Sequence, residues 1–213
     1  RLETRVIART GPGPFDYWMG AFVWRAEGED ADFVRGGAVD VAGTDHDVPS
    51  AEQCWSCHLG TPGRTLGLTA IQAGDAVRAA LADRFSDPLP AAALEAPDDA
   101  RAALGYLHAN CSHCHSPTGV APDTDLDLSL ALAATTVEET GAYRTAVGVA
   151  TRSWLRPEVP LRVAPGDPDH SALVVRMSAR GNVDQMPPLA TEHVDASGLA
   201  AVRAWIAALA DGG

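Results

Sequence analysis

The chain of 213 residues contains no lysine: its 16 basic residues are all arginine, set against 28 acidic ones, for a formal net charge of −12. Nucleic-acid binding needs a basic footprint to meet the phosphates, and this composition does not provide one. Docking through a ring of lysines is excluded as well. Electrostatic steering would instead favour a basic partner surface, unless docking is apolar or the acidity simply keeps the chain soluble. No apolar run approaches the ~20 residues that span a bilayer, so no transmembrane segment is expected. Methionine is scarce, with three residues, and cysteine nearly so, with four.

All four cysteines fall in two copies of one pattern, Cys54-Trp55-Ser56-Cys57-His58 and Cys111-Ser112-His113-Cys114-His115. Cys-x-x-Cys-His is the attachment signature of a c-type haem. Residues at i, i+3 and i+4 of a helix share a face, so Cys54, Cys57 and His58 can converge on one group, and Cys111, Cys114 and His115 on another. The expected chemistry is two thioether bonds per haem, with His58 and His115 as axial ligands of the irons. Three simpler readings compete. Zinc ribbons separate their cysteine pairs by about 15–20 residues, far less than the distance from residue 54 to residue 111. Disulfides give no reason for a histidine after each pair. A thioredoxin-like pair belongs in a βαβ pattern, and neither motif lies in one. The expected cofactors are therefore two covalently bound c-type haems.

The chain starts at Arg1 without a signal-peptide pattern, which reads as a processed protein or a piece of a longer one. Covalent haem attachment in bacteria implies export, so the expected location is periplasmic or extracellular. Residues 1–48 read as a β-rich segment, with strands at 3–9 and 16–25 around the Gly11-Pro12-Gly13-Pro14 turn and a third at 32–41. Residues 49–96 form a first haem-binding segment. Its helix starts at Ser50, apolar positions recur at mixed helical spacing over 66–81 with a break near Gly74, and a proline-rich linker covers 85–98. Residues 97–213 read as a second haem domain. Asp98 or Asp99 caps a helix that runs to Cys111, and a loop-rich stretch extends to about residue 166. A short helix follows Asp167–Asp169, and a last one runs from Asp195 to Leu209. Gly105 is the position expected to let these helices approach closely. Taken together the fold class expected is mainly α, with a small N-terminal antiparallel β segment and long loops.

An iron that only shuttles electrons needs a second axial ligand. Met186, held extended by Pro187-Pro188, is the candidate for the second haem. Met177 and Met19 read as packing residues. For the first haem the candidates are His46 and His108, with an open site as the third option. Asp123-x-Asp125-x-Asp127 resembles the start of a calcium loop, but Leu128 and Ala134 stand where glycine and glutamate are needed, so a solvated acidic turn is expected. His170 and His193 read as surface residues.

A helix ending in Cys-x-x-Cys-His, then a loop, methionine-proline and a closing helix with an aromatic, resembles the class I cytochrome c pattern. More narrowly, the chain is similar to secreted bacterial two-haem cytochrome domains, some of which are appended to quinoprotein (PQQ-type) sugar dehydrogenases. The matching stretches are Glu3-Thr4-Arg5, Val23-Trp24, Pro49-Ser50, Leu66-Gly67-Leu68, Tyr106 to Asn110, Pro165 to Pro168, Gln185 to Pro188 and Trp205-Ile206, besides the two motifs. The resemblance implies a cytochrome c-like fold and Met186 as ligand of the second haem. It implies a carrier of single electrons between a redox donor and acceptor. The alternatives are a two-haem peroxidase-like enzyme with one open haem, or a cytochrome subunit of a larger membrane-associated or extracellular assembly.

Overall fold

The computed structural model of the chain describes residues 1–121, 124–189 and 191–209. β-Branched and aromatic residues draw the N-terminal stretch into three antiparallel strands, β1 (Glu3–Arg9), β2 (Tyr17–Trp24) and β3 (Ala31–Phe33), in the order β1-β2-β3. Glu3 pairs with Val23 and Arg9 with Tyr17. The period of two sorts the side chains. Tyr17, Met19, Ala21 and Val23 share one face, where Met19 and Ala21 are buried. On the other face the rings of Trp18, Phe22 and Phe33 pack with centroids 5.4–6.1 Å apart. The third strand is shorter than the sequence suggested. Gly37 takes a positive φ and lies hard against the Val48 and Pro49 backbone, which turns the chain before the strand can extend.

Helix α1 (Ala51–His58) opens with a reciprocal cap: Gln53 N–H donates to the Ser50 hydroxyl at 3.2 Å, and Ser50 N–H donates to the Gln53 amide oxygen at 2.8 Å. This helix packs on β2. The helical spacing over 66–81 produces only α2 (Asp75–Leu81), which begins directly after Gly74. Helix α3 (Asp98–Asn110) is entered from Pro97, and no side chain caps it. Asp98 and Asp99 lie in its first turn, where they meet the positive end of the helix dipole. Helix α4 (Gly141–Ala146), held by the Thr140 hydroxyl accepting from Tyr143 N–H, interrupts the stretch expected to be loop. Helix α5 (Ala172–Ser178) follows a 3₁₀ turn capped by Asp167, and α6 (Ala196–Ala208) is capped by the Asp195 carboxylate accepting from Ser197 and Gly198 N–H.

The main core forms where α6 crosses α3, burying Leu104, Leu107, Val202, Trp205 and Ile206, with Leu128, Val163 and Val174 around them. A smaller cluster of Ala21, Val41 and Val48 backs the sheet. The close approach between the helices is made by Gly198, not Gly105. A Cβ on Gly198 would lie on the Tyr106 ring, whereas one on Gly105 would meet nothing within 4 Å.

The expectation of a mainly α chain, and the cytochrome c-like fold class with it, is corrected here. Helices of all kinds make up 34% of the structure and strands 13%, so more than half of it is turn and loop. The 20 glycines and 15 prolines explain this, since both end helices. No helix among the described residues is long and apolar enough to cross a membrane.

The crossing predicts opposite outcomes for two similar substitutions. Gly198→Ala forces the Tyr106 ring aside and should destabilise the protein by about 1–3 kcal/mol. Gly105→Ala removes a helix-interior glycine in open space and should be neutral or stabilise by about 0.5–1 kcal/mol. Urea unfolding of both variants measures the contrast.

Candidate functional site

The two Cys-x-x-Cys-His segments have different local backbones. Cys54, Cys57 and His58 lie on α1 itself, with His58 its last residue. The His58 ring is already oriented: Nδ1 lies 2.6 Å from the Arg64 carbonyl oxygen. A carbonyl only accepts, so Nδ1 carries the proton and Nε2 keeps its lone pair. That arrangement is the one a metal-ligating imidazole uses. Arg64 itself is 8% exposed and has φ of +61°. Its guanidinium donates to the Leu59 carbonyl and, at 2.5 Å, to the Pro14 carbonyl. It sits 5.5–5.9 Å from the ring centres of Phe15, Tyr17 and Trp55.

The second segment lies just past α3, in successive turns. Cys111 N–H donates to the Leu107 carbonyl, and His115 N–H to the Cys111 carbonyl at 2.8 Å. The Thr124 hydroxyl lies 3.5 Å from His115 Nδ1, and the His115 carbonyl accepts from Leu128 N–H. Cys111, Cys114 and His115 line a cavity of about 1170 Å³, counting its open mouth, and Met186 lines the same cavity. Much of the remaining wall is apolar, including Leu126, Leu128, Ala146, Leu173 and Met177, but four arginines also reach it: Arg152, Arg162, Arg176 and Arg180. Burial lowers the proton affinity of Arg162 and Arg176 below the ordinary guanidinium value. Arg162 donates to the Thr124, Asp125 and Thr145 carbonyls. Arg180 donates to those of Met177, Ala179, Met186 and His193. Among the described residues neither forms an ion pair, and both guanidinia donate to backbone carbonyls; the Asp195 carboxylate lines the same cavity.

The two segments meet. Cys114 Sγ lies 3.7 Å from the Ser56 carbonyl, and the Thr118 hydroxyl donates to the Gly60 carbonyl at 3.1 Å. A Cβ on Gly60 would fall 2.6 Å from the Thr118 oxygen, so a larger residue there would push the segments apart. Cys57, His113 and Cys114 come together with ligand atoms within 4.8 Å of one another. This is the one such cluster of three histidine, cysteine or carboxylate groups among the described residues. The Cys114 thiol, and after it His113, hydrogen-bonds the Cys57 sulfur and draws its pKa down to about 4. The same contact and burial push Cys114 upward. Burial alone raises Cys111 to about 12 and is the main cause of the rise at Cys54.

The remaining candidates from the sequence are dispersed. His46 Nε2 lies 2.8 Å from the Glu3 carboxylate, on the strand whose Arg5 feels the charge of Cys54 and Cys57. His108 accepts from Leu130 N–H at Nδ1, which puts its proton on Nε2, 3.3 Å from the Thr69 hydroxyl. Both nitrogens are engaged, and burial lowers its pKa. Either nitrogen of His108 would have to leave a partner to bind a metal, whereas His46 bonds Glu3 through one nitrogen and could keep that bond while the other binds. Met177 is buried at the second cavity, and Met19 is buried in β2. Of the acidic turn, Asp123 lies outside the described residues; Asp125 pairs with Arg152, and Asp127 accepts from Ser129. His170 and His193 are exposed and pair with Asp167 and Asp45.

Arg64, Arg162 and Arg180 were not singled out by sequence reasoning. Their partners are backbone carbonyls, some near in sequence and some far, and a carbonyl leaves no residue-type signature. No family model, no curated protein and no solved structure matches the chain.

The thiol electrostatics give a labelling order for the chain with all four cysteines free. A thiol alkylates as its thiolate, and a depressed pKa keeps Cys57 ionised from about pH 4 upward. Iodoacetamide at pH 6 should therefore modify Cys57 first and Cys111 last, read by peptide mass spectrometry. Equal labelling of the two would contradict the contact with Cys114.

Proposed function

We propose that the chain is a two-haem c-type cytochrome that passes single electrons between redox partners in the periplasm or outside the cell. The observation that supports it best is the second cavity. Cys111, Cys114, His115 and Met186 all line a single space with apolar walls, the donor set of a covalently held haem with histidine and methionine on its iron. The carbonyl-solvated guanidinia of Arg162 and Arg180 suit the two carboxylates of that group. At the first site, His58 presents Nε2 with its other nitrogen already bonded. Haem supplies a one-electron couple at its iron.

The chain's own residues then have defined work. Cys54, Cys57, Cys111 and Cys114 would anchor the groups, and His58 and His115 would bind their irons. Met186 is held at the second site by its N–H donating to the Arg176 carbonyl at 3.0 Å. The apolar wall formed by Leu126, Leu128, Ala146 and Leu173 limits water, which favours the less charged form of the iron. Contact between the two attachment segments places the sites side by side within one chain. The acidic surface of the molecule suits a donor or acceptor with a basic face, whether that partner is free or part of a larger assembly.

A second reading rests on Cys57, His113 and Cys114. Two sulfurs and an imidazole within 4.8 Å also suit a thiophilic cation such as zinc. The two readings make exclusive demands on Cys57 and Cys114. Pyridine haemochrome and elemental analysis of protein made in cells with a haem-attachment apparatus separate them. Two haems per chain and no stoichiometric zinc are expected; zinc without haem would establish the second reading. Met186→Ala should retain both haems while losing the methionine–iron charge-transfer band and lowering one midpoint potential, since methionine ligation raises it.

A further inference from the structure

The N-terminal sheet contributes no residue to the attachment motifs, but α1 packs on β2, and one side chain also ties the sheet to the end of the first motif. Arg64 stands six residues after His58, at the end of a short 3₁₀ turn (Pro62–Arg64) that follows α1. Its carbonyl holds His58 Nδ1. Its side chain turns away and donates to the Pro14 carbonyl, in the turn between β1 and β2, and to the Leu59 carbonyl beside His58. The rings of Phe15, Tyr17 and Trp55 surround the guanidinium at cation–π distance. We propose that Arg64 is a positioning residue for His58, through which the sheet sets the redox behaviour of the first site. This inference rests on the two-haem reading.

The backbone supplies the reason that the side chain matters. A φ of +61° on a residue with a Cβ is unfavourable and persists only where the surroundings over-determine it. Here they do: two carbonyls and three rings fix the guanidinium, and the guanidinium fixes the residue. The left-handed turn in which the Arg64 carbonyl meets His58 exists because the side chain is anchored at Pro14. Without that anchor the residue relaxes to a right-handed or extended conformation and the carbonyl leaves Nδ1. An imidazole that donates from Nδ1 is the more basic ligand, and a more basic ligand favours oxidised iron. Loss of the bond therefore raises the potential of the first site. The second site is built from α3, the Met186 segment and their surroundings, and does not involve Arg64.

The test is a spectroscopic redox titration of wild-type protein, Arg64→Ala, Arg64→Lys and Phe15→Leu. The methionine–iron band identifies the second site, so the other step belongs to the first. In Arg64→Ala the first-site step should move upward by about tenfold in the oxidised/reduced ratio, or about 59 mV for one electron, while the second stays in place. Arg64→Lys keeps the charge but loses the two-pronged donor, and should fall between. Phe15→Leu removes one exposed ring and should give a smaller shift of the same sign, which covers the case that Arg64→Ala does not fold. Two resolved steps in the wild type with neither moved in any variant, or both moved equally, overturn the positioning role. A wild type without haem overturns the two-haem reading and this inference with it.

Discussion

Residues 56–60 and 113–119 touch, and the rest of the structure serves to hold that line of contact. The approach is tight enough that Gly60 has no room for a side chain against Thr118. Cys57 and Cys114 lie near each other although they belong to different motifs. Each motif reaches the contact by its own route. The first is carried on a helix whose start is locked by Ser50 and Gln53 and whose end is tied to the sheet by Arg64. The second follows α3, which α6 pins in place through Tyr106 and Gly198. Two separate cores therefore converge on one junction.

Local chemistry was legible in the sequence, and long-range chemistry was not. β1 lies where its β-branched pattern placed it, and the Ser50 and Asp195 starts are real, because a cap depends on residues within three positions. Gly105 and Gly198 show the limit. Both lie on the crossing helices, but which one faces the partner depends on rotation about the helix axis, and no nearby residue reveals that. The mainly α expectation failed because helix makes up only 34% of the structure and strand 13%, the rest being turn and loop that no local periodicity announces. The two Cys-x-x-Cys-His segments are visible in the sequence by their spacing, whereas the contact between them is not, since it joins segments more than fifty residues apart.

The arginines follow the same division. An all-arginine basic set is visible in composition, but its meaning depends on what each guanidinium faces. Arg64, Arg162 and Arg180 are solvated mainly by backbone carbonyls, acceptors that any sequence provides. Such bonds fix loops without a regular hydrogen-bond ladder. In a chain with more than half of its residues outside helix and strand, a few planar, multiply donating side chains take over the work that secondary structure does elsewhere.

The absence of lysine has a consequence at the second cavity. An ammonium in an apolar wall can shed its proton as its surroundings change, but a guanidinium stays charged across the whole physiological range even when burial weakens its hold on the proton. The positive field that Arg162 and Arg180 cast into the cavity is therefore a constant of the molecule, indifferent to acidity outside. Among the charged and titratable groups that line the cavity, which include His113, His115 and Asp195, the guanidinia are the ones whose attraction for an anionic group does not fade as acidity changes.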